Sequence, residues 1–217
     1  MNWIEALLDL DHTRARALFE KAVYPWDILG DIKDFISSMD LPRDEFEEIL
    51  EGVWAARDAE IAPTASITGP CVIGHETQVR HCAFIRGSAL VGDGCVVGNS
   101  TELKNVILFD RVQVPHFNYV GDSVMGYKSH MGAGSVTSNV KSDKTLVVVR
   151  AFGEEIATGR KKFGAVVGDG AEVGCNSVLN PGTILGRGAS VYPTSCVRGF
   201  VPEGHIYKDK EHIVKRR

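Results

Sequence analysis

From residue 61 onward an aliphatic side chain recurs every six residues, with Ile61, Ile67, Ile73, Val79, Ile85, Val91, Val97 and Leu103 on one register. Neither an α-helix, with a period of about 3.6, nor an alternating strand gives that spacing. Five-residue units then interrupt it, and the register continues through Leu108, Val114, Val120, Met125 and Met131. It returns at Val167, Val173, Leu179, Leu185, Val191 and Val197 after an insertion. An internal repeat of this length predicts a parallel β-helix, each unit giving one short strand and one turn. Three units close a coil, so residues about eighteen apart stack about 4.8 Å apart along the axis. Glycine at the second position of a unit, as at Gly74, Gly98 and Gly174, suits a tight corner.

Residues 1–55 read differently, as a small helical appendage. Trp3, Ile4, Leu7 and Leu8 make one apolar stripe, and Leu18, Phe19, Ala22 and Val23 continue at helical spacing. Tyr24-Pro25-Trp26 breaks the pattern. A second stripe runs through Ile28, Leu29, Ile32, Phe35 and Ile36, and Pro42 opens an expected third helix with Phe46, Ile49 and Leu50 inward. The appendage holds no Gly-rich phosphate loop and reads as a packing or oligomerisation element. The expected organisation is this appendage, an all-β β-helix over 56–203, and a basic tail over 204–217. An insertion at about 141–164 leaves the register, with a strand from Lys144-Thr145 through Val149 and a turn at Gly153-Glu154 suggesting an ejected hairpin. Long loops on a rigid coil commonly carry function.

With 44% apolar residues the chain is able to bury a substantial core, and a net charge of −4 with mixed signs points to neither nucleic acid nor a membrane surface. Five cysteines, odd in number and without a C-x-x-C pair, read as reduced thiols of the core. The N-terminal residues carry acids where a signal peptide needs bases, and no apolar run is long enough to span a bilayer. A cytoplasmic location is the expectation.

Residues 114–139 combine the repeat with side chains the repeat does not need, namely His116, Asn118, Tyr119 and Asn139. The run V-x-V-P-H-x-x-Y-V-G-D-S, then G-A-G followed four residues later by Asn, then G-R-K-K-F-G-A-V-V-G-D, resembles the acetyltransferase domain of bifunctional glucosamine-1-phosphate acetyltransferase / N-acetylglucosamine-1-phosphate uridyltransferases. It is similar also to archaeal sugar-1-phosphate nucleotidyltransferases that carry an amino-sugar acetyltransferase domain, in the insertion and in Asn180-Pro181-Gly182. The resemblance covers about residues 61–201.

That resemblance implies a left-handed coil, whereas the period alone leaves the hand open and the general rule for parallel crossovers is right-handed. It implies a homotrimer with acetyl-CoA as cosubstrate, no metal, and an amino-sugar 1-phosphate, of glucosamine or galactosamine, as acceptor. His116 would be the general base, taking a proton as the sugar amine attacks the thioester; an imidazole titrates near neutrality and suits that role. Glu102 and Asn139 would orient the base and the sugar. Arg86 and Lys104 match phosphate-binding positions, and being eighteen apart they stack in successive coils by the repeat itself. Tyr119, Asn118 and His130 would complete the sugar site. Ala133 would offer its N–H to the thioester oxygen as charge develops, with Lys162, Cys175 and Pro193 near the coenzyme and the basic tail from Lys208 near the coenzyme's phosphates. His130, Asn118 and Cys175 depart from the bacterial pattern, where Asn, Ser and Ser are usual, and leave the sugar and acyl group open.

Rival readings are an acyltransferase for a nucleotide-linked amino sugar, and a non-catalytic sugar- or nucleotide-binding relative of the nucleotidyltransferases. A γ-class carbonic anhydrase shares the repeat but uses a His-x4-His pair, which His75, His81, His116 and His130 do not make.

Overall fold

The computed structural model describes residues 2–216. From residue 53 onward short strands climb as a parallel β-solenoid, each hydrogen-bonded to the strand one coil earlier. The pairs Val53↔Cys71, Glu60↔Gln78 and Ser66↔Phe84 are each eighteen residues apart, as the repeat requires. One face is a nine-stranded sheet reaching from Glu60–Ile61 to Ile213–Lys215. The other two faces merge into one 14-stranded sheet, because Glu102–Leu108 and Tyr119–Met125 run through the corner between them.

Those two strands explain the five-residue units. Glu102 pairs with Tyr119 and Val96 with Gln113, seventeen residues on instead of eighteen. The chain drops one residue at the corner and bends through Asn105 and Asp122, at φ 54° and 48°. Asn and Asp are the non-glycine residues that tolerate this left-handed conformation best. Inside the coil Ile73, Ile85, Val97, Leu103, Val120, Met125, Leu179 and Val197 are fully buried, so the six-residue register is the core. Coils approach so closely that a Cβ on Gly98 would lie 1.6 Å from the Pro115 carbonyl oxygen.

The appendage is folded as short helical turns, Trp3–Leu7, Arg16–Phe19 and Ile32–Ser37, none long enough to be stable alone. Docking stabilises them: Trp3, Ile4, Leu7, Leu8, Phe19, Ile28, Ile32 and Ile36 are all buried. The expected third helix is instead a strand, Phe46–Leu50, antiparallel to Val53–Ala56. Phe46 is buried but Ile49 and Leu50 are exposed. Glu51-Gly52, with Gly52 at φ 66°, reverses the chain onto the open edge of the first coil, and that tertiary pairing overrides the helical spacing. Val53–Ala56 thus already belongs to the coil.

The insertion is a hairpin of Val148–Ala151 and Glu154–Ala157, its strand beginning at Val148 and leaving Leu146 exposed. It folds back on the appendage. Phe152 meets the edge of Trp3 at 4.8 Å and Phe200 at 4.4 Å, and the Arg160 guanidinium donates to the Asp27 carbonyl at 2.5 Å. At the centre Trp26 stacks on Tyr24 at 4.8 Å and touches Trp3 and Phe163 at 5.4 and 5.6 Å.

One further expectation needs correction. Only Cys71 and Cys95 are core thiols, their pKa pushed by burial up to about 12, whereas Cys82, Cys175 and Cys196 are exposed. These three occupy outward or corner positions of the repeat. The basic tail folds as a hairpin: His205–Tyr207 pairs in parallel with Ser190–Val191, and Ile213–Lys215 returns antiparallel on it. Arg217 lies outside the described residues.

Trp26→Ala removes the ring on which appendage and insertion meet, and its cost is that of a buried aromatic truncation, about 3–5 kcal/mol. Denaturant unfolding of the full chain checks this; a loss under about 1 kcal/mol would mean that the two segments dock independently of that ring.

Candidate functional site

The solenoid turns positions in sequence into columns in space. His81, Asn99, His116, Ala133, Cys175 and Pro193 each stand two residues beyond a register residue, and those register residues pair from coil to coil. They therefore form one column along a corner. Backbone hydrogen bonds lock it: Phe117 N–H donates to the Asn99 carbonyl at 2.9 Å, Gly134 to His116 at 3.0 Å, Asn176 to Ala133 at 2.8 Å, and Thr194 to Cys175 at 2.8 Å. The expected base, His116, and three expected coenzyme residues, Ala133, Cys175 and Pro193, are thus brought together. His116 is exposed, and the Ala133 N–H donates to no acceptor among the described residues.

Directly past this corner a second group lies on the neighbouring face. Glu102 pairs with Tyr119 in register, and Arg86 and Lys104 follow in equivalent places on successive coils, as their spacing predicts. Arg86 donates to Glu102 at 2.8 Å, and Lys104 to the two oxygens of Asp122 at 3.3 and 3.4 Å. The Asn139 amide donates to Asp122 at 2.5 Å and to the Tyr119 hydroxyl at 3.2 Å. Gly121 makes this possible. A Cβ there would lie 2.4 Å from the Tyr119 hydroxyl, so only glycine lets the ring lie along its own strand toward Asn139.

Four expected residues stand elsewhere than expected. Asn118 is buried, and its amide donates to the Gly132 and Ser135 carbonyls at 2.8 and 3.0 Å while its oxygen accepts the His116 N–H at 3.1 Å. Its polar atoms are engaged by the corner that presents His116, so it braces that corner instead of facing outward. His130 stands with the corner column: it lines a cleft of about 360 Å³ with Cys175, Tyr192, Pro193 and Arg216. The carboxylate of Glu102 is held by Arg86, and no hydrogen bond joins it to His116 among the described residues. Lys162 is exposed and immediately precedes Phe163, whose N–H donates to the Asn139 carbonyl at 2.9 Å; it therefore flanks the second group.

Sequence reasoning missed Asp122. Asp122 is only 4% exposed yet carries a carboxylate at an outer corner, and the available signal was an acid inside one of the two shortened units. The basic tail is expected near the coenzyme, and the terminal hairpin, whose Arg216 N–H donates to the Gly204 carbonyl at 2.8 Å, brings Arg216 to the cleft with Cys175 and Pro193.

The Tyr119 phenol is pushed above its ordinary value by burial and by the nearby Asp122 and Glu102 carboxylates, with the Asn139 hydrogen bond and Arg86 acting the other way. It stays protonated at neutral pH. Since its oxygen already accepts from Asn139, its proton remains for a bound oxygen or carbonyl.

Comparison with known proteins follows the same segment. Residues 67–202 match the family model described as GMPPB C-terminal domain. The bifunctional sugar-1-phosphate nucleotidylyltransferase/acetyltransferase of Sulfurisphaera tokodaii is 31% identical over 189 residues, covering 85% of this chain and 47% of the relative. The bifunctional protein GlmU of Methanococcus vannielii is 34% identical over 137 residues, covering 62% and 33%. The chain therefore spans between a third and about half the length of these curated relatives. Among solved structures, a hexapeptide transferase family protein from Anaplasma phagocytophilum aligns over 76% of this chain and 81% of its own, at 16% identity and a TM-score of 0.43.

Ultraviolet titration of the five tyrosines checks the assignment of the phenol. Tyr119 should ionise late, above pH 10, together with Tyr207, whose phenol burial also raises. Tyr119→Phe should remove one late phase. Because the folded value is the higher one, the neutral phenol's contribution to stability is complete below the ordinary value and is lost as pH rises through the folded value. A late phase unchanged in Tyr119→Phe would show that the ring does not occupy the place above Gly121.

Proposed function

Because the chain belongs to the family of the GMPPB C-terminal domain, we propose that it is an acetyltransferase moving an acetyl group from acetyl-CoA to the amine of an amino-sugar 1-phosphate. The observation that carries this reading is the continuous corner column of His116, Ala133, Cys175 and Pro193 beside the cluster of Arg86, Glu102, Lys104, Tyr119 and Asn139. The curated relative whose printed name joins sugar-1-phosphate nucleotidylyltransferase and acetyltransferase supports it, since its match covers 85% of this chain.

In this reading the thioester lies along the column and the sugar along the neighbouring face. The amine nitrogen attacks the thioester carbonyl, a C–N bond forms, and the carbonyl oxygen takes the developing negative charge toward the Ala133 N–H. His116 accepts the proton that the amine loses. Collapse breaks the C–S bond and coenzyme A leaves as the thiol, taking up a proton. Arg86 and Lys104 receive the phosphate. Arg86 is bound to Glu102 at the surface, where solvent screening leaves such pairs weak, so a dianion is able to draw the guanidinium away. Tyr119 donates to a sugar hydroxyl. Arg216, at the cleft with His130 and Cys175, is placed to meet the coenzyme's phosphates. A homotrimer is part of the proposal, a neighbouring coil closing the exposed side of the corner.

Thiol release from acetyl-CoA across amino-sugar 1-phosphates and nucleotide-linked amino sugars tests the reading. Turnover with a 1-phosphate is expected, and His116→Ala should keep the fold while lowering turnover by about 10² to 10⁴-fold. Arg86→Ala and Lys104→Ala should raise the KM of the sugar phosphate more than that of acetyl-CoA, and Arg216→Ala should do the reverse. Release with nucleotide-linked sugars alone would transfer the activity to the other acceptor class. Release with neither, from folded protein, would sink the enzymatic reading.

A further inference from the structure

The least expected group in the second cluster is also its most connected one. Asp122 is nearly buried on the strand Tyr119–Met125, and it is held at φ 48° by the shortened corner. Its carboxylate accepts from Lys104, from the Asn139 amide and from the Asn105 amide at 3.0 Å. The same Asn105 amide donates to the Leu29 carbonyl of the appendage at 3.0 Å. The Asp122 carbonyl accepts the Gly164 N–H at 2.8 Å, where the insertion rejoins the coil. Appendage, insertion and two coils therefore converge on one residue.

We propose that Asp122 is the positioning residue of this site: its carboxylate fixes Lys104 and Asn139 for the acceptor substrate, and Asn105 ties that carboxylate to the N-terminal appendage. This rests on the acetyltransferase reading for what is positioned. A buried carboxylate facing a phosphate site is unfavourable for phosphate affinity, since its charge opposes the dianion and partly neutralises Lys104. Its retention at that place is explained by geometry. A lysine side chain has four freely rotating bonds and an asparagine amide two, and ordering both before substrate arrives removes an entropic cost from the reaction. Through Asn105 the appendage acquires a role beyond packing. It holds the left-handed corner from which Lys104 and Asp122 both project.

Asp122→Asn keeps the shape and one acceptor oxygen but removes the charge, and it separates positioning from affinity. With the acetyl-transfer assay the expected result is a kcat lower by about 10- to 100-fold, the range that small misplacements produce, while the KM of the sugar phosphate stays level or falls. A merely structural role would lower stability and disturb both substrates alike. Asn105→Gly, which suits the positive φ and removes only the side-chain link, should shift kcat in the same direction by a smaller factor.

An arm independent of activity uses side-chain amide NMR of the full-length protein. The Asn105 and Asn139 amide signals, assigned by Asn105→Gly and Asn139→Ala, should both move in Asp122→Asn. An unmoved Asn139 amide would overturn the positioning role whether or not the protein transfers acetyl groups. Amides that move with kcat unchanged would also overturn it. Should no acceptor be turned over, the functional reading fails alone, and the amide signals decide the inference.

Discussion

Hydrogen bonding between parallel strands of successive coils is the constraint on which everything else in this molecule rests. Because each strand pairs with the strand one coil away, a residue's distance along the chain becomes a height on a column. Backbone bonds at the corners extend the same order beyond the strands, from Asn99 through His116 and Ala133 to Cys175. Chemistry on this scaffold needs no loop to be folded into place. A histidine two residues past a core valine is carried outward at the corner by the geometry that buries the valine.

The departure from regularity is as informative as the regularity. Two coils are one residue short, and the deletion falls at the same corner in both, at Asn105 and Asp122. The result joins two faces into one sheet and turns two polar side chains toward Lys104, Asn139 and each other. An unmodified repeat would have presented a plain turn there. The cost of left-handed backbone at non-glycine residues is modest for Asn and Asp, and the hydrogen bonds of the cluster offset it.

Appendage and insertion share one logic. Neither has helices or strands long enough to persist alone, and both gain stability by covering the same side of the coil, where Trp3, Tyr24, Trp26, Phe152, Phe163 and Phe200 meet. Contacts between these segments and the polar cluster end on backbone carbonyls: that of Leu29 receives the Asn105 amide, that of Asn139 the Phe163 N–H, and that of Asp122 the Gly164 N–H. Carbonyls are constant in charge and short in reach. They hold the cluster in place without adding a titrating group to it.

The sequence by itself determined the coil, its core and its columns, because a six-residue period admits one architecture and the register residues declare which side chains are inside. It also placed Arg86 over Lys104, and it set His116, Ala133, Cys175 and Pro193 at positions that the coil aligns. It did not determine the strand Phe46–Leu50, whose apolar spacing is helical and whose pairing exists only because the first coil leaves an edge open. Nor did it separate the roles of polar residues four apart. Asn118 and Asp122 look equally available along the chain; tertiary structure buries the first in the corner beneath His116 and makes the second the acceptor for Lys104, Asn105 and Asn139. The physical reason is that burial and hydrogen-bond partnership come from segments far apart in sequence, whereas the repeat encodes only position relative to the axis.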